Sequence, residues 1–349
     1  MTNSDSGGIA QASQGGESQV TPAATANGDH DSHDRNLINQ LDTPVVLIVF
    51  NRPEPTRRVF AAIAKARPSR LLVIADGPRA ERPGEADRCD EVRQIVSRVD
   101  WPCNVDNNFA AENMGCRRRM ISGLNWAFSL VEEAIILEDD CLPDPSFFRY
   151  CTLLLERYRE NSQIGVISGF NFQGSFRHSS SYYFSPLMSI WGWATWRRSW
   201  QQYDEHMKAW PETKRNGLLK LLFPNGRIVA YWENIFDQMY DGNGPNTWDY
   251  QWIFTSFNRK WLNIIPATNL IQNIGFDQDA THTKKSDPLA AVPADTMAFP
   301  LRHPFAITPW QARTMKLQKI AFARSLFLRI RLKILKTLRQ TYENGAKWR

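Results

Sequence analysis

The sequence predicts an α/β protein with a mostly parallel sheet flanked by helices, and three observations carry that prediction. Val45-Val46-Leu47-Ile48-Val49-Phe50, Leu71 to Ala75 and Ala134-Ile135-Ile136-Leu137 are continuous apolar runs of strand length. Such runs suit strands buried on both faces. Segments of helical length alternate with them, as in a doubly wound sheet. Each run also gives way to polar, loop-forming residues.

Taken in order, residues 1–42 are rich in Ser, Gly, Ala, Thr, Asn and Gln and nearly lack large apolar side chains. They cannot bury enough surface to offset their ordering entropy, so a disordered tail is expected. Order is expected from Pro44, with a strand from Val45 and a helix to about Ala66 that carries Val59, Phe60 and Ile63 on one face. A strand (Leu71 to Ala75), a helix (Ala86 to Val99), a weaker strand (Asn104 to Phe109) and a helix (Gly115 to Val131) follow. After the strand at Ala134, Asp144-Pro145 reads as an N-cap and first turn. Ile164 to Ile167 is a further strand. From about 170 the pattern becomes irregular and aromatic, with nine of the thirteen Trp between Trp191 and Trp261. The expected division is therefore 1–42, a first half 43–168, a second half 169–300 of the same domain, and a basic C-terminal helix 301–349.

With 349 residues and 42% hydrophobic side chains, there is chain enough for a sizeable core, and collagen-like or fully disordered classes are excluded. The net charge of +6 is unevenly spread. Residues 311–349 hold eleven Lys/Arg and one acid, Glu343, whereas the first 310 carry 31 basic and 35 acidic side chains. The body thus lacks a basic face for nucleic acid, and none is expected as a partner. Residues 311–340 combine the basic charge with Phe322, Leu326, Phe327, Ile330, Ile334 and Leu338. They read either as a helix lying on an anionic membrane surface or as one packed on the domain. No run approaches the ~20 apolar residues of a membrane span. The five cysteines form no CxxC pair. A cytoplasmic location, peripheral on the inner face of the membrane, is expected.

Ligands of open α/β sheets bind beyond the carboxyl ends of the strands. Here those ends read Asn51-Arg52-Pro53, Asp76-Gly77-Pro78-Arg79 and Glu138-Asp139-Asp140. Singly, each has a plain reading as a helix-flanking charge, a turn or a solvated loop. On one sheet edge they make a site, and their hard oxygens suit Mg²⁺ or Mn²⁺ shared with a diphosphate. Neither GxGxxG nor GxxxxGK[ST] occurs, which disfavours a glycine-cradled nucleotide.

These residues resemble a family. Val-Val-Leu-Ile-Val-Phe-Asn-Arg-Pro, Ile-Ala-Asp-Gly and Ile-Ile-Leu-Glu-Asp-Asp-Cys-Leu-Pro-Asp-Pro-Ser-Phe-Phe are similar to the donor half of GT-A (Rossmann-like) glycosyltransferases, nearest the N-acetylglucosaminyltransferase I type. Arg119-Met120-Ile121-Ser122-Gly123 precedes Glu138 at a similar spacing. The resemblance implies a nucleotide-sugar donor, usually a UDP-sugar, and a divalent metal. Carried over by position, Asp140 would ligate the metal. Glu138 and Asp139 would hold ribose, sugar or metal-bound water. Asp76 would bind uracil or ribose, Arg52 and Arg117 would border the nucleotide, and Asn113-x-Gly115 would form a turn before the donor-binding helix.

In the second half, Thr247-Trp248-Asp249-Tyr250-Gln251-Trp252 is similar to the Trp-Asp motif that carries the family's base. Asp249 is thus expected to be the base of an inverting displacement, the alternative being a helix N-cap. Trp193, in an aromatic run, reads as a sugar contact or as core packing. His282 reads as a group reaching the metal or diphosphate from a late loop, or as a structural residue. The function expected is a metal-dependent glycosyltransferase acting on a glycan or lipid-linked acceptor. The rivals are a sugar nucleotidyltransferase and a non-catalytic glycan- or membrane-binding protein.

Overall fold

The computed structural model describes residues 40–275, 292–310, 314 and 316. His282, residues 1–39 of the expected tail and nearly all of the basic C-terminal segment lie outside the described residues.

The chain forms β1 (Val45–Val49), α1 (Pro53–Ala66), β2 (Arg70–Ala75), α2 (Glu85–Val96), β3 (Asn104–Phe109), α3 (Cys116–Leu130), β4 (Glu133–Glu138), β5 (Cys141–Pro143), α4 (Ser146–Tyr158) and β6 (Ile164–Ser168). The second half adds β7 (Tyr182–Ser185), β8 (Trp193–Trp196), α5 (Arg197–Trp200), α6 (Trp210–Arg215), α7 (Leu218–Leu222), α8 (Gly226–Tyr240), α9 (Asp249–Asn258), β9 (Leu262–Pro266) and β10 (Ile271–Asn273). The Leu41 N–H donates to the Arg67 carbonyl at 3.1 Å.

One sheet of eight strands runs β3-β2-β1-β4-β8-β6-β9-β7. β3, β2, β1 and β4 are mutually parallel, and so are β6 and β9. The expected parallel sheet is therefore present, with β8 and β7 as antiparallel members. A strand buried on both faces needs two cores, and β1 supplies them alternately. Val45, Leu47 and Val49 join a core with Val59, Ile63 and Val92, whereas Val46 and Ile48 join another with Leu124, Phe128 and Trp193. A third core, around Trp210, Trp232, Phe236 and Phe257, holds the helical part of the second half.

Local residues explain how the elements start and stop. Pro53 opens α1, and Arg67, left-handed at φ 51°, ends it by donating to the Ile63 carbonyl. Gly123 lets α3 lie tightly on β2, since a Cβ there would stand 2.5 Å from Ile74. Asp144 acts one residue earlier than an N-cap. Pro145 occupies the cap, while the Asp144 carboxylate accepts from the Ser146 N–H at 2.9 Å.

Candidate functional site

The parallel register of β1, β2 and β4 brings their carboxyl ends to one edge, so Asn51-Arg52, Asp76 and Glu138-Asp139-Asp140 share it. Ile48 lies opposite Glu138, which puts the β1 exit beside the acidic triplet. The Arg52 guanidinium bridges Asp139 and Asp140, at 2.9 Å from Asp140 Oδ2. Burial alone would lower the Arg52 pKa, but the two carboxylates outweigh it and raise it above the ordinary value.

The three acids behave differently. Asp139 is buried, and its carboxylate accepts from the Phe50 N–H at 3.3 Å as well as from Arg52. These contacts tie the β1 exit to the end of β4. The Asp139 carboxyl is pushed up to about 6, by burial first, with Arg52 opposing and Asp140 adding. Glu138 is pushed up to about 8 by burial, then by Asp140 and Asp139, against Arg52 and with a contribution from Asp249. Asp140 is covered by the second half. β10 pairs antiparallel with β5, the Ile274 N–H donates to the Asp140 carbonyl at 2.8 Å, and Gly275 lies on its side chain. A Cβ at Gly275 would stand 2.1 Å from Asp140 Oδ2 and 2.8 Å from an Arg52 nitrogen.

Two aspartates against one guanidinium, with Glu138 beside them, leave surplus negative charge that a divalent cation would neutralise. Among the described residues no three His, Cys, Asp or Glu side chains converge as a ligand set. The donors are all carboxylate oxygens, so they fit an ion that takes one or two ligands from protein and the rest from a diphosphate.

Asp76 acts on its own loop. Its carboxylate accepts from the Gly77, Met114 and Gly115 N–H groups and from Asn113 Nδ2, at 2.8 to 3.1 Å. These four donors fill its acceptor positions, and it is buried. Asp76 and Asn113 therefore build the turn that leads into α3. Arg117 turns to the second half, donating to the Glu205 carbonyl at 2.9 Å with its Nε 3.7 Å from the Glu205 carboxylate.

Trp193 lies within the second core. It is fully buried and stacks on Trp248 at 5.8 Å beside Trp200 and Trp252. It is a core residue, because β8 inserts between β4 and β6 and faces α3 and α9.

Asp249 is the first residue of α9, with Trp248 at the cap. Its Oδ1 accepts from Thr247 Oγ1 at 2.6 Å and from the Tyr250 N–H at 2.9 Å. Its charge contributes to raising Glu138, so the acid of the second half lies within electrostatic reach of the triplet.

Two features escaped the sequence reading. Cys116, first in α3, senses Glu138, Asp249 and Asp76 together. Solvent reaches the residue, yet enough protein surrounds its thiol for burial to be the main cause that pushes it up to about 12, the carboxylates adding to it. No local pattern announced it. The second is Glu85, which is buried at the edge. It accepts from the Arg79 N–H at 2.7 Å, from the Arg79 side chain and from Asn51 Nδ2 at 2.8 Å. The only sequence signal was Arg79 following the Asp76 turn.

Arg79 holds Glu85 down to about 2, against the opposing effect of burial. A depressed carboxylate pKa stabilises the fold above its unfolded value of about 4.3, and that contribution disappears as pH falls toward 2. Glu85→Gln is therefore expected to lower Tm at pH 7, with the gap to wild type closing between about pH 4.3 and 2. A gap independent of pH in thermal melts would show that packing, not the ion pair, sets the loss.

Among the described residues no helix is long and apolar enough to cross a membrane. No family model matches the chain, and no curated protein matches it. Among solved structures it is similar to the crystal structure of apo UDP-glucose pyrophosphorylase, at 10% identity and a TM-score of 0.33, with 66% of this chain and 93% of that chain covered. A likeness that distant carries no functional argument.

Proposed function

We propose that the protein is a metal-dependent, inverting glycosyltransferase that moves a sugar from a uridine diphosphate donor to a glycan or lipid-linked acceptor. The observation that supports this reading is the gathering of Arg52 and of Glu138, Asp139 and Asp140 at the carboxyl edge of the parallel strands, with Gly275 of the second half laid on Asp140. The first half offers a carboxylate-rich strand end, and the second offers Asp249, whose charge acts on Glu138.

In the reaction so read, Asp249 takes the proton of the acceptor hydroxyl as that oxygen forms its bond to the anomeric carbon. The bond from that carbon to the diphosphate breaks on the opposite face, the electron pair leaves with the nucleotide, and the configuration inverts. A divalent ion held by Asp140, with Glu138 beside it, supplies charge neutralisation for the diphosphate when bound. Arg52 and Asp139 hold the Asp140 loop in register. The Asp76–Asn113 turn positions α3 under the donor.

The test is a thermal melt of the full chain with UDP, with and without Mn²⁺. At a hundred times its dissociation constant, a ligand adds about 2.7 kcal/mol. Stabilisation is expected only with UDP and Mn²⁺ together. It is expected to vanish in Asp140→Asn and in Gly275→Ala, whose methyl group would displace Asp140 Oδ2. A wild-type protein that UDP and Mn²⁺ leave unshifted would overturn the UDP reading. Release of pyrophosphate, not UDP, on turnover would make the protein a nucleotidyltransferase.

A further inference from the structure

A cavity of about 730 Å³ opens at the end of β9. Phe176, Arg177, His178 and Ser179 line it from the segment before β7, together with Ser181 and Arg302. No acid lines it among the described residues. Arg52, Arg79, Arg159 and Arg197 each meet a carboxylate, whereas Arg177 and Arg302 meet none among the described residues. The wall is held in place by its own hydrogen bonds. The Arg302 N–H donates to Ser181 Oγ at 3.0 Å, and the Ser181 N–H to the Arg302 carbonyl at 2.7 Å. Arg302 Nη2 donates to the His178 carbonyl at 3.2 Å. The Ser180 N–H meets His178 Nδ1 at 3.1 Å, and the Trp310 ring lies 4.3 Å from the same imidazole.

Topology puts this cavity on the edge that carries the acidic triplet. β9 is parallel to β6, and β6 and β4 are both antiparallel to β8, so β9 and β4 exit together. Ala267 and Thr268, directly after β9, line the cavity, as does Ser181, directly before the antiparallel β7. Along β4-β8-β6-β9 the two exits are three strand spacings of ~4.8 Å apart, roughly 14 Å. The cavity therefore stands beside the triplet on one ligand-binding edge, with the opposite charge.

The chemistry of the lining selects the ligand. A phosphate monoester carries close to two negative charges and three acceptor oxygens, which matches two forked guanidinium groups. The volume lies within the roughly 300–1,000 Å³ of small-molecule sites and is far more than an inorganic anion fills. The remaining lining, serine hydroxyls with the Phe176 ring, suits a group that is hydroxylated on its edges and apolar on its face. We infer that this cavity binds a phosphorylated carbohydrate, its phosphate between Arg177 and Arg302. On the transferase reading, on which this last step alone rests, that ligand is the acceptor.

The test is calorimetric titration of the full chain with glucose 1-phosphate, inorganic phosphate and glucose, in EDTA so that no metal at Asp140 offers a second phosphate site. Wild type is expected to bind glucose 1-phosphate more tightly than inorganic phosphate, and glucose not at all. Arg177→Gln and Arg302→Gln are each expected to weaken binding about ten-fold, and the double variant to abolish it. Both side chains are exposed, so the variants are expected to keep the wild-type Tm and, three strands away, the thermal shift with UDP and Mn²⁺. Silence of wild type toward glucose 1-phosphate would overturn the inference, as would wild-type affinity in the double variant. Inorganic phosphate or glucose binding as tightly as glucose 1-phosphate would overturn it too. Binding through both arginines in a wild type that UDP and Mn²⁺ leave unshifted would uphold the cavity and remove only the acceptor role.

Discussion

Asp249→Asn is expected to reduce sugar transfer by about 10²- to 10⁴-fold while leaving the UDP- and Mn²⁺-dependent thermal shift in place. Asparagine keeps the shape of the side chain. Its carbonyl oxygen can still accept from Thr247 Oγ1 and the Tyr250 N–H, the two donors that orient Asp249 at the start of α9. The substitution removes the group that takes the acceptor proton and changes little else in the turn. A helix-capping or purely structural role makes a different prediction, because a neutral acceptor would then serve nearly as well. Transfer within a few-fold of wild type, measured with the donor that the thermal screen selects, would remove Asp249 from the role of base. The pairing of lost turnover with retained donor binding separates the base from the Asp140 variants, in which both are expected to fail.

Trp193→Ala is expected to cost about 3–5 kcal/mol, a large part of the roughly 5–15 kcal/mol that holds a folded domain. The indole is fully buried on β8, opposite Ile136 on one side and Ser168 on the other. It packs against Trp248, Trp200 and Trp252, so truncation opens a cavity between the sheet and α9 that rigid neighbours cannot close. The loss should appear as a fall in Tm of about 10 °C, and Trp193→Phe should recover part of it. Trp248 directly precedes Asp249, so donor turnover should fall as well. An unchanged Tm with an altered KM for acceptor would return Trp193 to the role of sugar contact.

These two residues show what kind of information a sequence holds. Val45 to Val49 and Ala134 to Leu137 were legible as central strands because an uninterrupted apolar run has few other uses in a chain of this composition. Their polar exits were legible as an edge because parallel strands must end together. The partners of the exit residues were not legible. Asp76 looks equally suited to a ribose and to its own loop, and the decision came from Asn113 to Gly115, nearly forty residues on, which fill its acceptor positions. Asp139 and Asp140 are adjacent and chemically alike, but one is spent on the Phe50 N–H and Arg52 while the other lies under Gly275.

The second half was less legible still. Its strands are short, and two of them run against the rest, so no βαβ rhythm announces them. β8 enters between β4 and β6 as an antiparallel strand. That insertion buries Trp193 and carries the indole cluster against α9. Cys116 became visible only when the fold brought Glu138, Asp249 and Asp76 within electrostatic reach of the start of α3.

The sequence by itself determined the α/β class, the order of the first six strands and helices apart from the short β5, and the chemistry available at their ends: carboxylates, two arginines and no glycine cradle. Periodicity and residue type record how much each position is buried, and that is a local property. Only the tertiary structure decided which partners each carboxylate took. Those assignments depend on hydrogen bonds between residues far apart in the chain, whose partners are chosen by the packing of the whole sheet.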